Sequence, residues 1–135
     1  MKIKLVRQED EFGCTIACLA MVLGKTYKEI KKDFVNKFQG NEDGLTIGML
    51  IDYLGDQGCE VVSKMVDCYN QKDFGRDIIL MPFAPVHILN IKHRFDTTLH
   101  AVVMDNKGKI FCPDGATEEE VRDSYKFNIS VGIWK

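Results

Sequence analysis

Apolar and polar positions follow two regimes along the chain. Between residues 14 and 57 the apolar positions recur at helical spacing, and between 59 and 134 they fall in short runs or alternate. Residues 14–23 (CTIACLAMVL) form an apolar run that ends at Gly24, a residue suited to a helix stop. The run is apolar on every side, which predicts a helix at the centre of the domain rather than on its surface. Residues 27–38 place Ile30, Phe34 and Phe38 four apart with lysines between, which predicts an amphipathic helix. After a loop at 41–44, Thr46 is a candidate cap for a third helix at about 47–57, with Ile47, Leu50, Ile51 and Leu54 on one face.

Strand patterns follow. The segment 2–6 (KIKLV) alternates and predicts a short strand; 59–66, 78–82, 86–92, 99–105, 109–112 and 127–134 are further strand candidates. Asn106-Lys107-Gly108 suits a tight turn between the strands at 99–105 and 109–112. Thr117 followed by three glutamates predicts a short capped helix over 117–124. Helices first and strands afterwards predict an α+β fold, with the N-terminal helices on a C-terminal antiparallel sheet. There is no linker, repeat or low-complexity stretch, so residues 1–135 are read as one domain.

Composition narrows the classes. A net charge of −2, from 18 basic and 20 acidic residues, gives no basic footprint for nucleic acid. No apolar run is long enough to span a bilayer, and the N-terminus lacks the apolar core of a signal peptide. A cytoplasmic location is therefore expected. The five cysteines (Cys14, Cys18, Cys59, Cys68 and Cys112) are read as free thiols, most of them buried.

Cys14 differs from the others. It opens the apolar helix, where unsatisfied backbone N–H groups and the helix dipole favour a thiolate, and Gly13 before it leaves room for a substrate backbone. His100 lies near the start of the strand 99–105, where it can serve as a base; His87 is the rival base, and His93 is assigned to a solvated hairpin loop. Asp114 follows the next strand, so antiparallel pairing can bring it beside His100 to accept Nδ1–H. Gln8, six residues before Cys14, can donate its amide to an oxyanion, with the Cys14 N–H as second donor. Cys18 lies one helical turn after Cys14 and is read as core, because no other Cys or His pair has metal-ligand spacing. Cys59, Cys68 and Cys112 are read as core or strand residues.

The stretch from Gln8 to Val22, with Gly44-Leu45-Thr46, Ala84-Pro85-Val86, His100-Ala101-Val102-Val103-Met104 and Asp114 in order, resembles the papain-like cysteine peptidases that process double-glycine leader peptides of bacteriocins. The resemblance spans about residues 5 to 116. It implies a papain-like fold and a thiol peptidase with Cys14 as nucleophile, His100 as base, Asp114 as orienting acid and Gln8 as oxyanion donor. It implies a peptide or protein substrate and no metal or organic cofactor. Two departures stand out. The family's Asp-Cys-Gly-Pro-Ala is here Gly13-Cys14-Thr15-Ile16-Ala17, and its Asp-Pro after the last strand is here Pro113-Asp114. Asp105 is the alternative orienting acid. The departures also leave open a weak or inactive papain-fold module that binds a peptide or partner protein. An acyl transferase or deamidase using the same residues is a third reading.

Overall fold

The computed structural model describes residues 2–10, 13–37, 47–68, 84–93, 95 and 99–135, without the side chains at 34–37, 64–68 and 127–128. Three helices come first: α1 (Cys14–Leu23), α2 (Tyr27–Lys37) and α3 (Ile47–Asp56). They are followed by β1 (Glu60–Cys68), β2 (Val86–His93), β3 (Leu99–Asp105), β4 (Ile110–Phe111), α4 (Glu118–Ser124) and β5 (Tyr125–Trp134). The strands form one sheet in the order β1-β5-β2-β3-β4, with every pairing antiparallel. The fold is thus α+β with helices leading, as the pattern of periodicities predicts.

The ends of the helices have local causes. Gly24 closes α1 in the left-handed conformation, φ 67°, and its N–H bonds to the carbonyl of Ala20. α4 starts on a capping box: the Thr117 side chain accepts from the Glu120 N–H, and the Glu120 side chain accepts from the Thr117 N–H. Between β3 and β4, Asp105 fixes the turn by accepting from the N–H groups of Lys107 and Lys109, both at 2.9 Å.

Side-chain alternation divides the sheet into two faces. Val86 and Ile88 of β2, Ala101 and Val103 of β3, and Val131 and Ile133 of β5 join Cys18, Leu19 and Val22 of α1 in the larger core. Leu89, Ile91, Val102 and Met104 face the other way, where Cys112 and Val121 complete a smaller core. Leu19 and Val22 are fully buried, and each such side chain contributes roughly 1.5–3 kcal/mol. The all-round apolarity of α1 therefore reflects a helix enclosed on all sides.

Three expectations are corrected. Residues 2–6 are not a strand: Ile3 and Val6 pack on the larger core, while the Gln8 N–H bonds to the Pro113 carbonyl at 3.0 Å. The segment is tied to a turn rather than to a sheet edge. β4 stops at Phe111 instead of 112, because Pro113 has no N–H to continue a ladder. β5 begins at Tyr125, two residues earlier than expected. The strand candidate at 78–82, the Thr46 cap and the loop at 41–44 lie outside the described residues. No helix among those described is long and apolar enough to cross a membrane.

His87 carries a testable consequence. It is buried, its Nδ1 has no hydrogen-bond partner among the described residues, and burial pushes its pKa down. The unfolded chain therefore binds a proton at this residue more readily than the folded one. The stability that His87 leaves intact above its ordinary value of 6.5 is lost as pH falls through the depressed folded value. In urea unfolding at neutral and at mildly acidic pH, His87→Phe is expected to lose less stability between the two than the unmutated protein.

Candidate active site

Cys14 is the first residue of α1 and is half-buried at the margin of the larger core. No side chain caps this helix end, and its first turn holds no acid. The loop before it is held by Asp10. The Asp10 carboxylate accepts from the Tyr27 hydroxyl at 2.7 Å and from Lys31 Nζ at 2.8 Å, both on α2. Its carbonyl accepts from the Gly13 N–H at 3.1 Å and from Gln8 Nε2 at 3.1 Å. Lys31 and then Tyr27 hold the Asp10 carboxyl below its ordinary pKa. Burial, reinforced by Asp10, pushes the Tyr27 hydroxyl up to about 12. One aspartate thus joins α2, the Gln8 amide and the residue before Cys14.

This loop explains Gly13. Its φ of −90° suits any residue, but a Cβ there would collide with the Tyr27 hydroxyl. Glycine is needed for close packing on Tyr27, and the expected role in admitting a substrate backbone is not required to account for it.

His100 sits on β3 with its side chain only 9% exposed. Alternation places it with Val102 and Met104 on the smaller-core face, and its ring lies 5.8 Å from that of Tyr125. Its Nε2 is 3.3 Å from Cys112 Sγ and 3.6 Å from Asp114 Oδ2. Cys112 in turn donates its S–H to Asp114 Oδ1 at 2.8 Å, and the Ala116 N–H reaches the same oxygen at 3.0 Å. A thiol has one proton. With that proton donated to Asp114, the sulfur accepts from the imidazole, so Nε2 carries the ring proton and Nδ1 keeps the lone pair. Nδ1–H is the expected donor to Asp114; the structure turns the other ring nitrogen, Nε2, toward the acid.

Burial pushes the His100 pKa down, and Asp114 opposes it. Burial also drives the Cys112 thiol up to about 12, and the bond to Asp114 adds to the effect. At Asp114 burial acts upward, but Cys112, the Ala116 N–H, His100 and Arg7 together hold the carboxyl below its ordinary value.

The turn bearing Asp114 is anchored from the N-terminal segment. Arg7 donates to the Asp114 carbonyl at 3.2 Å, and Gln8 N–H to the Pro113 carbonyl at 3.0 Å. Gly115 takes a left-handed φ of 87°, and a Cβ there would meet the Arg7 guanidinium at 2.5 Å.

The structure therefore brings His100 and Asp114 together and ties Gln8 to the same turn. It draws no hydrogen bond between Cys14 and His100. The two are linked through their surroundings. α1 packs on β3, and the buried Cys18 thiol, raised first by burial, is raised further by both Cys14 and Cys112. Asp105 is excluded as the orienting acid. It is engaged in the β3–β4 turn, five residues along the strand from His100, or about 16 Å at ~3.3 Å per residue. His87 pairs with Met104 while His100 pairs with Ile91, so the rival base is at the far end of the same strands. His93 is the last residue of β2, its ring 5.2 Å from Tyr125, and not a free loop residue.

Cys112 is the participant that sequence reasoning missed, having been read as core. It is buried, yet its sulfur touches both His100 and Asp114. The available signal was the residue before Pro113, the place that Asp takes in the family's Asp-Pro pair.

No protein-family model matches the chain, and no curated protein matches its sequence. Solved structures do. The peptidase domain of Streptococcus ComA, a bi-functional ABC transporter involved in a quorum-sensing pathway, superposes with a TM-score of 0.62 at 20% identity, covering 98% of each chain. The peptidase domain of Streptococcus mutans ComA gives a TM-score of 0.60 at 16% identity, over 98% of this chain and 99% of that one. The chain has the α+β fold of these peptidase domains over 98% of its length, which is the fold that the resemblance implies.

The Gly13–Tyr27 contact is open to test. Gly13→Ala is expected to destabilise the protein by roughly 1–3 kcal/mol, as overpacking of a buried site does. In a Tyr27→Phe background, which lacks the obstructing oxygen, the same substitution is expected to cost less. Urea unfolding of the four proteins gives the coupling, and strict additivity would rule out the contact as the reason for glycine.

Proposed function

We propose that the protein is a thiol hydrolase that cleaves peptide bonds, with Cys14 as nucleophile, His100 as its base, Asp114 as the acid that orients the imidazole, and Gln8 as an oxyanion donor. The observation that carries this reading is the arrangement around His100. Its Nε2 is engaged by Cys112 and Asp114, which leaves the Nδ1 lone pair as the basic position.

Cys14 lies on the larger-core side of β3 and the His100 side chain on the smaller-core side, so on this reading Nδ1 meets Cys14 around the end of the strand. β4 pairs only with Val103 and Met104 of β3, so the His100 end of β3 extends past its outer neighbour. The start of α1, packed on β3, can approach His100 around that end. His100 Nδ1 takes the Cys14 thiol proton as the sulfur attacks the scissile carbonyl carbon. The tetrahedral oxyanion is stabilised by the Gln8 amide and a backbone N–H at the start of α1. As the intermediate collapses, Nδ1–H passes its proton to the leaving amine. Water, deprotonated by the same nitrogen, then releases the acyl group from Cys14.

The ComA peptidase domains share the fold, and the resemblance of the Cys14 and His100 segments points to peptides with Gly-Gly before the scissile bond. The partner is accordingly a peptide or protein substrate, not a nucleic acid. Cys14, Cys18, Cys59 and Cys112 are free thiols, which suits a reducing compartment such as the cytoplasm.

One observation favours a second reading, a weak or inactive module that binds a peptide or partner protein. Asp114 makes its short bond, 2.8 Å, to Cys112, and stands 3.6 Å from the imidazole. An acid engaged elsewhere orients the base less firmly.

Alkylation and turnover separate the two. In the hydrolase, Cys14 is expected to react with iodoacetamide at neutral pH faster than the half-buried Cys59, and His100→Ala is expected to abolish that advantage. A fluorogenic peptide ending in Gly-Gly is expected to be cleaved, with Cys14→Ala slowing turnover by about four orders of magnitude or more. Equal reactivity of Cys14 and Cys59, with peptide binding that survives Cys14→Ala and no turnover, would establish the binding module instead.

A further inference from the structure

Three potential metal ligands converge beside the proposed catalytic base. One ligand atom from each of His100, Cys112 and Asp114 lies within 4.8 Å of the other two. We infer that His100 Nε2, Cys112 Sγ and an Asp114 carboxylate oxygen form a binding site for a divalent zinc ion.

The separations fit. Zinc bonds of about 2.0–2.3 Å in a tetrahedron place neighbouring donor atoms roughly 3.3–3.6 Å apart. The Nε2–Sγ distance is 3.3 Å and the Nε2–Oδ2 distance is 3.6 Å. Oδ2 is thus the ligand oxygen, while the other oxygen, Oδ1, is 2.8 Å from Sγ with the thiol proton between them and also takes the Ala116 N–H. Zinc replaces that proton on the sulfur, and Sγ and Oδ2 take up the tetrahedral spacing around the ion.

The donor set also selects the ion. A thiolate with an imidazole suits zinc, whereas magnesium and calcium take all-oxygen shells. Three protein ligands leave a fourth position for water, on the side where Asp114 is 43% exposed.

The ligands are held in place beforehand. Cys112 and Asp114 flank the buried Pro113 in a turn closed by the Gly115 N–H on the Cys112 carbonyl at 3.1 Å. Arg7 bonds the main-chain carbonyl of Asp114, which leaves the carboxylate to the metal, and the Ala116 N–H orients that carboxylate.

Binding balances as follows. The Nε2 lone pair and the Cys112 thiolate each donate to zinc, the thiol proton leaves to solvent, and the single ring proton of His100 moves to Nδ1. This tautomer is the reverse of the one in the metal-free site. The consequence rests on the thiol-hydrolase reading: with Nδ1 protonated and Nε2 on zinc, His100 cannot accept the Cys14 proton. Zinc binding and catalysis are then exclusive uses of one imidazole.

The test uses Cys14→Ala protein titrated with Co2+, a spectroscopic substitute for zinc. One equivalent is expected to give the visible bands of tetrahedral cobalt and a near-ultraviolet thiolate-to-cobalt charge-transfer band, both bleached by one equivalent of Zn2+. Cys112→Ala in this background is expected to remove the charge-transfer band. Asp114→Asn, at an exposed residue with little risk to folding, is expected to weaken Co2+ binding by about tenfold or more. Absence of the band in Cys14→Ala protein overturns the site, as does a band that survives Cys112→Ala or an affinity unchanged by Asp114→Asn. The Cys14→Ala protein lacks the nucleophile, so the readout does not depend on turnover. A cobalt signal with no peptidase activity in the unmutated protein defeats only the hydrolase reading. Activity without the signal defeats only the zinc site.

Discussion

The enclosure of α1 by the larger face of the sheet is the constraint on which the rest of the structure depends. Ala17, Cys18, Leu19 and Val22 are fully buried, and this face of the sheet contributes Val86, Ile88, Ala101, Val103, Val131 and Ile133. A helix buried on every side cannot slide or rotate without opening cavities, each costing on the order of kilocalories per side chain. Its first residue, Cys14, is therefore fixed in space by the nine residues after it. The antiparallel register of β3 fixes His100 in the same way, since a slip of one residue would exchange the two cores.

A second layer of polar contacts positions what the cores do not reach. Asp10 gathers Tyr27, Lys31, Gly13 and the Gln8 amide, while Arg7 and the Gln8 backbone hold the turn that bears Asp114. Arg7, Gln8, Asp10 and Gly13 thus link the helix side of the site to its acid side. Surface ion pairs alone contribute little to stability. Here the value of the Lys31–Asp10 pair lies in geometry: it helps to set the aspartate whose backbone carbonyl receives both the Gln8 amide and the Gly13 N–H.

Cys112 changes the chemistry of the acid side. In a three-residue triad the acid meets the imidazole directly. In this chain a buried thiol, driven up to about 12 by burial and by Asp114, stands between them and passes the orientation on as a neutral donor and acceptor. The same sulfur, once deprotonated by a metal, is the strongest ligand in the cluster. The placement of Cys112 before Pro113 and of Asp114 after it therefore gives a cluster that, on the inference above, holds either a proton or a zinc ion.

Much of this was legible from the order of residues. The apolar run bounded by Gly24 defined α1 to the residue, because a helix stop and an all-apolar surface are local properties. The Thr117 capping box and the Asn106–Gly108 turn were legible for the same reason. Apolar runs identified β2 and β3, alternation identified β5, and antiparallel pairing across the turn at 106–108 was enough to put Asp114 near His100. Residues 2–6 alternate as a strand does, yet only the competing bond from Gln8 to Pro113 decided that they lie along a turn. Which ring nitrogen of His100 faces the acid, the presence of Cys112 between them, and the dependence of Gly13 on Tyr27 all arise between segments distant in sequence. Sequence by itself determined the elements, their order and the candidate nucleophile, because these follow from local periodicity and residue chemistry. Tertiary structure alone decided which thiol touches the imidazole, because that depends on distances across the sheet edge that no spacing along the chain encodes.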